Sequence, residues 1–357
     1  MKIFGSIILV LCLAVLSFGG CKNPERLLVE GREMNHTKEG KERNYSAGMK
    51  DWLRPRFVKY SGNPILFPTG TGWESMAVLA PTVVIKGEKF YMFYRGDDWS
   101  YVRWIEDQPF PRYDKKGGWA CIGLATSQDG IHFERYANNP LITPEYEFEK
   151  PWGCEDPRIA KIGDTYVLTY RAGGRHIALA TSTDLFHWRK EGRCLPDWDA
   201  TNSGAIVPEK INGRYVMYHG DSNIWVAYST DLVHWESEKD APVMTPREGY
   251  FDDSLVEPGP PPVVTEKEIV LIYHGRNKKT WAYSLGVAIF SKEDPEKLLY
   301  RSDRPFLEPS EEWEINGKAY NVIFAEGLVN YRGIYYLYYS GSDTYIGVAI
   351  GKQTRRK

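Results

Sequence analysis

The sequence predicts an all-β fold, a five-bladed β-propeller, from three observations. A two-part phrase recurs five times along the chain in one order. The aromatic content, 12 Trp, 24 Tyr and 14 Phe, together with 33 Gly and 22 Pro, suits short strands joined by tight turns and disfavours helix-rich or disordered readings. At 357 residues the chain exceeds the size at which one ordinary core stops growing, so it is either one large β architecture or two domains. The repeat favours the first.

The first half of the phrase is an aromatic strand ending in a Gly or Asp turn: Tyr91–Asp98, Tyr166–Gly174, Tyr215–Ser222, Ile269–Asn277 and Tyr335–Asp343. Alternation such as Tyr166-Val167-Leu168-Thr169-Tyr170 is a strand period of two. The second half follows a turn: Ile122–Arg135, Ile177–Lys190, Trp225–Ser237, Leu285–Leu298 and Ile346–Gln353. Its Ser-x-Asp-Gly or Ser-x-Asp-Leu step reads as a hairpin turn. The body from 51 to 357 divided by five gives roughly 61 residues a unit, enough for a four-stranded blade with loops. A β-sandwich would account for strands but not for five matched pairs.

Residues 1–20 read as a lipoprotein signal peptide. Lys2 gives a positive start, Ile7 to Leu16 is an apolar run, and Ser17-Phe18-Gly19-Gly20 leads small residues into Cys21. The run is far shorter than the roughly 20 residues that cross a bilayer. The ending resembles a bacterial lipobox, which implies lipidation of Cys21 and a place in the cell envelope, on its periplasmic face or the cell surface. An ordinary secretory signal is the alternative. Residues 21–50 are polar and aperiodic, as a tether between lipid and folded body would be. Cys121, Cys154 and Cys194 remain, an odd number without CxxC or Cys/His spacing, so neither a disulfide framework nor a metal site is expected. No cofactor is expected either.

Lys and Arg total 45 against 47 Asp and Glu, a balance unlike that of a nucleic-acid binder. Oligomeric state is not encoded in any feature of the chain. A propeller's funnel is lined by loops from every blade, so the polar ends of the first phrase should converge there: Arg95 and Asp97, Arg171, His219 and Asp221, His274 and Arg276, and Asp343. Acids also stand in three special settings. Glu155-Asp156-Pro157-Arg158 places two carboxylates beside a rigid Pro and an Arg. Glu257 precedes Pro258-Gly259-Pro260-Pro261-Pro262, and Glu326 sits in the apolar strand Val322–Leu328, where burial raises a carboxyl pKa. Separated carboxylates with one in an apolar setting suit general-acid and general-base glycoside hydrolysis. Trp99, Trp104, Trp119, Trp152 and Trp281 offer faces on which sugar rings can stack.

At these residues, over about 60–350, the chain resembles glycoside hydrolase family 130. The markers are Tyr94-Arg95-Gly96, Ala125–Phe133, Glu155–Arg158, Val207–Tyr215, Pro258–Val263 with Tyr273–Gly275, Asn321–Gly327 and Tyr338–Ala349. The resemblance implies a five-bladed propeller acting on β-mannosides with inversion, as phosphorylase or hydrolase. It also implies that Asp156 is the general acid.

Departures from the phosphorylase pattern point to the reaction. An Asn-Lys-Asp step and a His-Arg-Pro step, whose Lys and Arg help hold phosphate, are here Thr201-Asn202-Ser203 and His219-Gly220-Asp221. Glu257 and Glu326 replace small or neutral residues. Added carboxylates repel a phosphate dianion, whereas a water nucleophile needs a base. The expectation is an inverting, exo-acting β-mannosidase on mannose-containing oligosaccharides, β-1,2-linked as the resemblance implies. Asp156 would act as acid, Glu257 and Glu326 singly or together as base, and Arg95, Asp97, Arg158, Tyr273, His274 and Asp343 would bind the sugar. Inversion predicts an acid–base separation of about 6.5–9.5 Å. The alternatives are a phosphorylase releasing mannose 1-phosphate and a glycan-binding propeller without catalysis.

Overall fold

The computed structural model describes residues 55–352 apart from 100–103, 106–111, 114–117, 151, 199–200 and 238–240. The signal peptide, Cys21 and the tether lie outside the described residues. Five antiparallel sheets form five blades in chain order. Blade 1 runs through Ala77–Lys86, Lys89–Asp97, Cys121–Ser127 and Glu134–Arg135. Blade 2 is Cys154–Ile162, Thr165–Ala172, His176–Ser182 and Arg189–Arg193. Blade 3 is Ser203–Ile206, Tyr215–Gly220, Trp225–Ser229 and Glu236–Ser237. Blade 4 is Leu255–Pro258, Glu268–Arg276, Tyr283–Ser291 and Leu298–Arg301, with Val263–Val264 added beside its second strand. Blade 5 takes Ile323–Tyr331, Ile334–Gly341 and Tyr345–Lys352 from the C-terminal end and Arg56–Lys59 from the N-terminal end. The two repeated phrases are thus the second and third strands of every blade.

The ring closes because Arg56–Lys59 pairs with the last strand, Arg56 opposite Lys352 and Lys59 opposite Ala349. That pairing ties the two ends of the described chain and covers a sheet edge that would otherwise invite association. Between blades lie five apolar seams. Val78 and Phe90 meet Tyr336 and Tyr338 between blades 1 and 5, and Phe93 and Leu124 meet Tyr166 and Leu168 between blades 1 and 2. Leu179 packs on Met217 between blades 2 and 3, Tyr218 on Phe290 between 3 and 4, and Ile272 on Leu337 between 4 and 5. Alternation in each strand therefore serves two seams, one per face, and the core is a ring of interfaces.

A second repeat holds four of the blades from inner loop to outer strand. An aromatic-acid dipeptide precedes the first strand: Trp73-Glu74, Phe148-Glu149, Phe251-Asp252 and Trp313-Glu314. The acid accepts from the Tyr of the second strand and from a cation of the fourth. Tyr94 and Arg135 reach Glu74 (both 2.8 Å), and Tyr170 and Lys190 reach Glu149 (2.6 and 2.7 Å). Tyr273 and Arg301 reach Asp252 (both 2.6 Å), and Tyr339 and Lys59 reach Glu314 (2.9 and 2.5 Å). Blade 3 carries Trp198-Asp199, whose acid is outside the described residues. The aromatic partner explains paired glycines: a Cβ on Gly341 or Gly347 would lie 2.3 or 2.5 Å from the Trp313 ring.

Candidate active site

The first strands of the blades surround the axis, and three of them carry a β-bulge. Register shifts fall between Leu79 and Thr82, between Glu155 and Arg158, and between Ala325 and Gly327. Bulges re-aim side chains. The bulged residues are Ala80 in blade 1, Asp156 in blade 2 and Glu326 in blade 5. Asp156 holds φ 48°, as does Ala80 at 52°, each before a proline. Such a conformation costs on the order of 1–3 kcal/mol for a non-glycine residue, and Asp tolerates it better than most.

Asp156 is embedded in cations. Arg95 Nη1 donates to its Oδ1 at 3.1 Å, and Arg171 and Arg158 add to its field. Although burial opposes ionisation, these charges together hold its carboxyl below the usual range. Arg95 also pairs with Glu155 (2.8 Å) and, through Nε, with Asp97 (2.9 Å). Arg171 Nε stands 3.7 Å from Glu155. Lys318, which sequence reasoning did not single out, pairs with the far oxygen of Asp97. Asp343, at φ 51°, is coupled to Lys318, Arg95, Asp156 and Asp97, and burial outweighs the cations to raise its pKa.

Glu257 and Glu326 form the other half. Ser203 Oγ donates to Glu257 Oε1, and Glu257 is 7% exposed. Burial, reinforced by Asp221, pushes its pKa up to about 8. Asn202 donates to Asp221, so the stretch lacking the phosphorylase lysine faces two acids instead. Glu326 is fully buried, with Arg158 Nη2 2.9 Å away but without hydrogen-bond geometry to either carboxylate oxygen. Burial, with Asp156 and Glu257 nearby, outweighs Arg158 and lifts its pKa well above the ordinary value. Arg158 is also committed to the carbonyls of Gly259 and Pro258 (both 3.0 Å), so one guanidinium ties blades 2, 4 and 5 at the axis.

The predicted residues therefore divide. Asp156, Glu257, Glu326, Arg95, Arg158 and Asp343 gather in one electrostatically coupled cluster. Asp97 is there too, but its carboxylate is fully buried and engaged by Arg95 and Lys318, so it positions Arg95 and is not open to a sugar. Tyr273 is not part of the cluster: it faces the seam between blades 3 and 4 and serves Asp252. His274 is fully buried, stacked on Phe324 at 3.7 Å with Nε2 3.0 Å from the Ala325 carbonyl. Burial and Arg158 push its pKa well below 6.5, so it is a neutral support beneath Glu326. His219 is likewise buried, between Thr201 and Ser237, with its pKa lowered to about 3 by desolvation. Tyr283 was also missed; its hydroxyl is coupled to Glu257, Asp221 and Asp343. Its place at the start of a third strand hides it among ordinary strand tyrosines.

Among the described residues no group of His, Cys, Asp and Glu could hold a metal ion.

Comparison with known proteins gives a family. Residues 110–355 match the glycoside hydrolase family 130 model, described as beta-1,4-mannooligosaccharide phosphorylase. The chain is 38% identical over 310 residues to a beta-1,2-mannobiose phosphorylase of Thermoanaerobacter sp. (strain X514), covering 85% of this chain and 99% of that protein. Among solved structures, a putative glycoside hydrolase from Parabacteroides distasonis ATCC 8503 is similar at TM-score 0.77 and 34% identity, covering 85% of this chain and 98% of that one. Another, from work describing glycoside hydrolases in this family of mannoside phosphorylases that target beta-1,2 mannosidic linkages in Candida mannan, is similar at TM-score 0.75 and 32% identity, covering 84% and 94%. The chain is a member of glycoside hydrolase family 130.

Proposed function

We propose that this protein is an inverting, exo-acting β-mannosidase that hydrolyses β-1,2-linked manno-oligosaccharides. One observation carries the choice of water over phosphate: the axial cations are already engaged by carboxylates and backbone carbonyls while two protonatable glutamates face the cluster. Arg95 is paired with Asp97, Glu155 and Asp156, Arg171 lies beside Glu155, Lys318 is paired with Asp97, and Arg158 donates to the Gly259 and Pro258 carbonyls. A phosphate dianion entering this set would have to displace the ionised carboxylates that already hold these cations.

In this reading Asp156 protonates the departing oxygen, directly or through a sugar hydroxyl. Glu257 takes the proton of the attacking water, since Ser203 orients its carboxyl and Glu326 is sealed from solvent. Glu326, its pKa raised by burial, shapes the floor. At rest the proton sits on Glu257 and Asp156 is ionised, the inverse of the productive arrangement. The two carboxyls therefore titrate as a unit with one proton shared between them. As pH rises through about 8 that proton is lost from Glu257, so none remains to reach Asp156. The expected profile of kcat/KM is bell-shaped, with its alkaline limb near there.

A second reading, phosphorolysis, is favoured by the names of curated relatives at 38 and 36% identity. Turnover of β-1,2-mannobiose in phosphate-free buffer tests the first reading. Hydrolysis is expected there, with Glu257→Gln slowing it by roughly 10²–10⁴-fold, the worth of a general base. Absence of turnover until phosphate is added would favour the second.

A further inference from the structure

Aromatic rings lead outward from the acid cluster between blades 4 and 5. His274 stacks on Phe324 at 3.7 Å, Phe324 lies 6.2 Å from Tyr283, and the Arg276 guanidinium stands over both Tyr283 (5.6 Å) and Trp281 (5.3 Å). The inner end is fully buried, whereas Trp281 is 38% exposed. Arg276 is fixed from below by Ser254 Oγ, at 3.2 and 3.0 Å from Nε and Nη2. No carboxylate among the described residues pairs with it.

The loop that presents Trp281 is tightly built. Asn277 Oδ1 accepts from the amides of Lys279 and Thr280 (both 3.0 Å), and the Trp281 amide donates to the Asn277 carbonyl at 2.8 Å. Asn321 of the neighbouring blade donates to the Thr280 carbonyl at 3.2 Å, and its own carbonyl accepts from Tyr283 N at 3.0 Å. Trp281 itself holds φ 59°, an uncommon state for a large aromatic residue. A rigid exposed ring edged by a guanidinium provides an apolar face for pyranose C–H groups and donors for ring hydroxyls.

We infer that Trp281, with Arg276 and Tyr283, forms a platform for a sugar ring of the oligosaccharide lying outside the acid cluster, so that this loop sets the preference for chain length. This rests on the manno-oligosaccharide reading above and holds whether water or phosphate is the nucleophile.

The test uses Asp156→Asn protein, which binds without turnover, and calorimetric affinities for β-1,2-mannobiose and β-1,2-mannotetraose. The gain in affinity from the shorter to the longer sugar is expected to shrink about tenfold with Trp281→Ala, the effect of returning one buried ring face to water. Trp281→Phe is expected to keep most of it. An undiminished gain in Trp281→Ala overturns the platform. Should the alanine variant fail to fold, saturation-transfer NMR with Trp281 in place decides: transfer to protons beyond the terminal mannose supports the platform, and its absence overturns it. If Asp156→Asn protein with Trp281 intact binds neither sugar, the manno-oligosaccharide reading itself has failed.

Discussion

At the scale of single residues, the site separates carboxyls by environment. Asp156 and Glu257 share a cluster, yet guanidinium groups hold one below the usual range while burial and Asp221 lift the other to about 8. Such opposed shifts mark acid–base partners. Asp221→Asn removes a negative neighbour, so the pKa of Glu257 should fall and the alkaline limb of kcat/KM should move to lower pH. A limb that stays in place would detach Glu257 from the profile. The same shift bears on stability. A carboxyl whose pKa is raised by folding favours the native state fully below its unfolded value, about 4.3, and loses that contribution as pH climbs through about 8. Glu257→Gln should therefore flatten the decline in stability over that window, as read from urea midpoints at several pH values. Arg158 is the opposite case, a buried charge tied to three blades. Arg158→Met leaves the buried Gly259 and Pro258 carbonyls without their donor and is expected to cost about 1–3 kcal/mol in urea unfolding.

At the scale of elements, blades 1, 2, 4 and 5 are each bolted by an acid, a tyrosine and a cation under an aromatic lid. Gly341→Ala would place a Cβ 2.3 Å from the Trp313 ring and should destabilise the protein by about 1–3 kcal/mol in thermal unfolding. The second and third strands were legible in sequence because their aromatic and IGxA-type phrases repeat. The first strands were not, since they share no phrase: Ala77–Lys86, Cys154–Ile162 and Leu255–Pro258 differ in length and content. What they share is position around the axis, which only the assembled ring reveals. Asp156, Glu257 and Glu326 were visible because a carboxylate beside proline or inside an apolar strand is unusual. His274 looked equivalent to Arg95 along the chain, yet it serves the floor, while Tyr273, like Tyr94, serves a seam and the acid of its own blade. Strand alternation sends neighbours to opposite faces, and residue type alone does not say which face meets the funnel. Lys318 and Tyr283 act across long sequence separations and carry no local mark.

At the scale of the whole molecule, the five inner strands form one axis, and chemistry depends on the ring being closed. Blades 2, 4 and 5 supply Asp156, Glu257 and Glu326, while blades 1 and 3 supply Arg95 and Ser203, which bond to two of them. Water, not phosphate, is the proposed nucleophile in this cluster. The most direct test is proton NMR of the products from β-1,2-mannobiose with and without inorganic phosphate. Free α-mannose formed first, at a rate indifferent to phosphate, is the predicted result. Mannose 1-phosphate, at a rate that rises with phosphate, would contradict it.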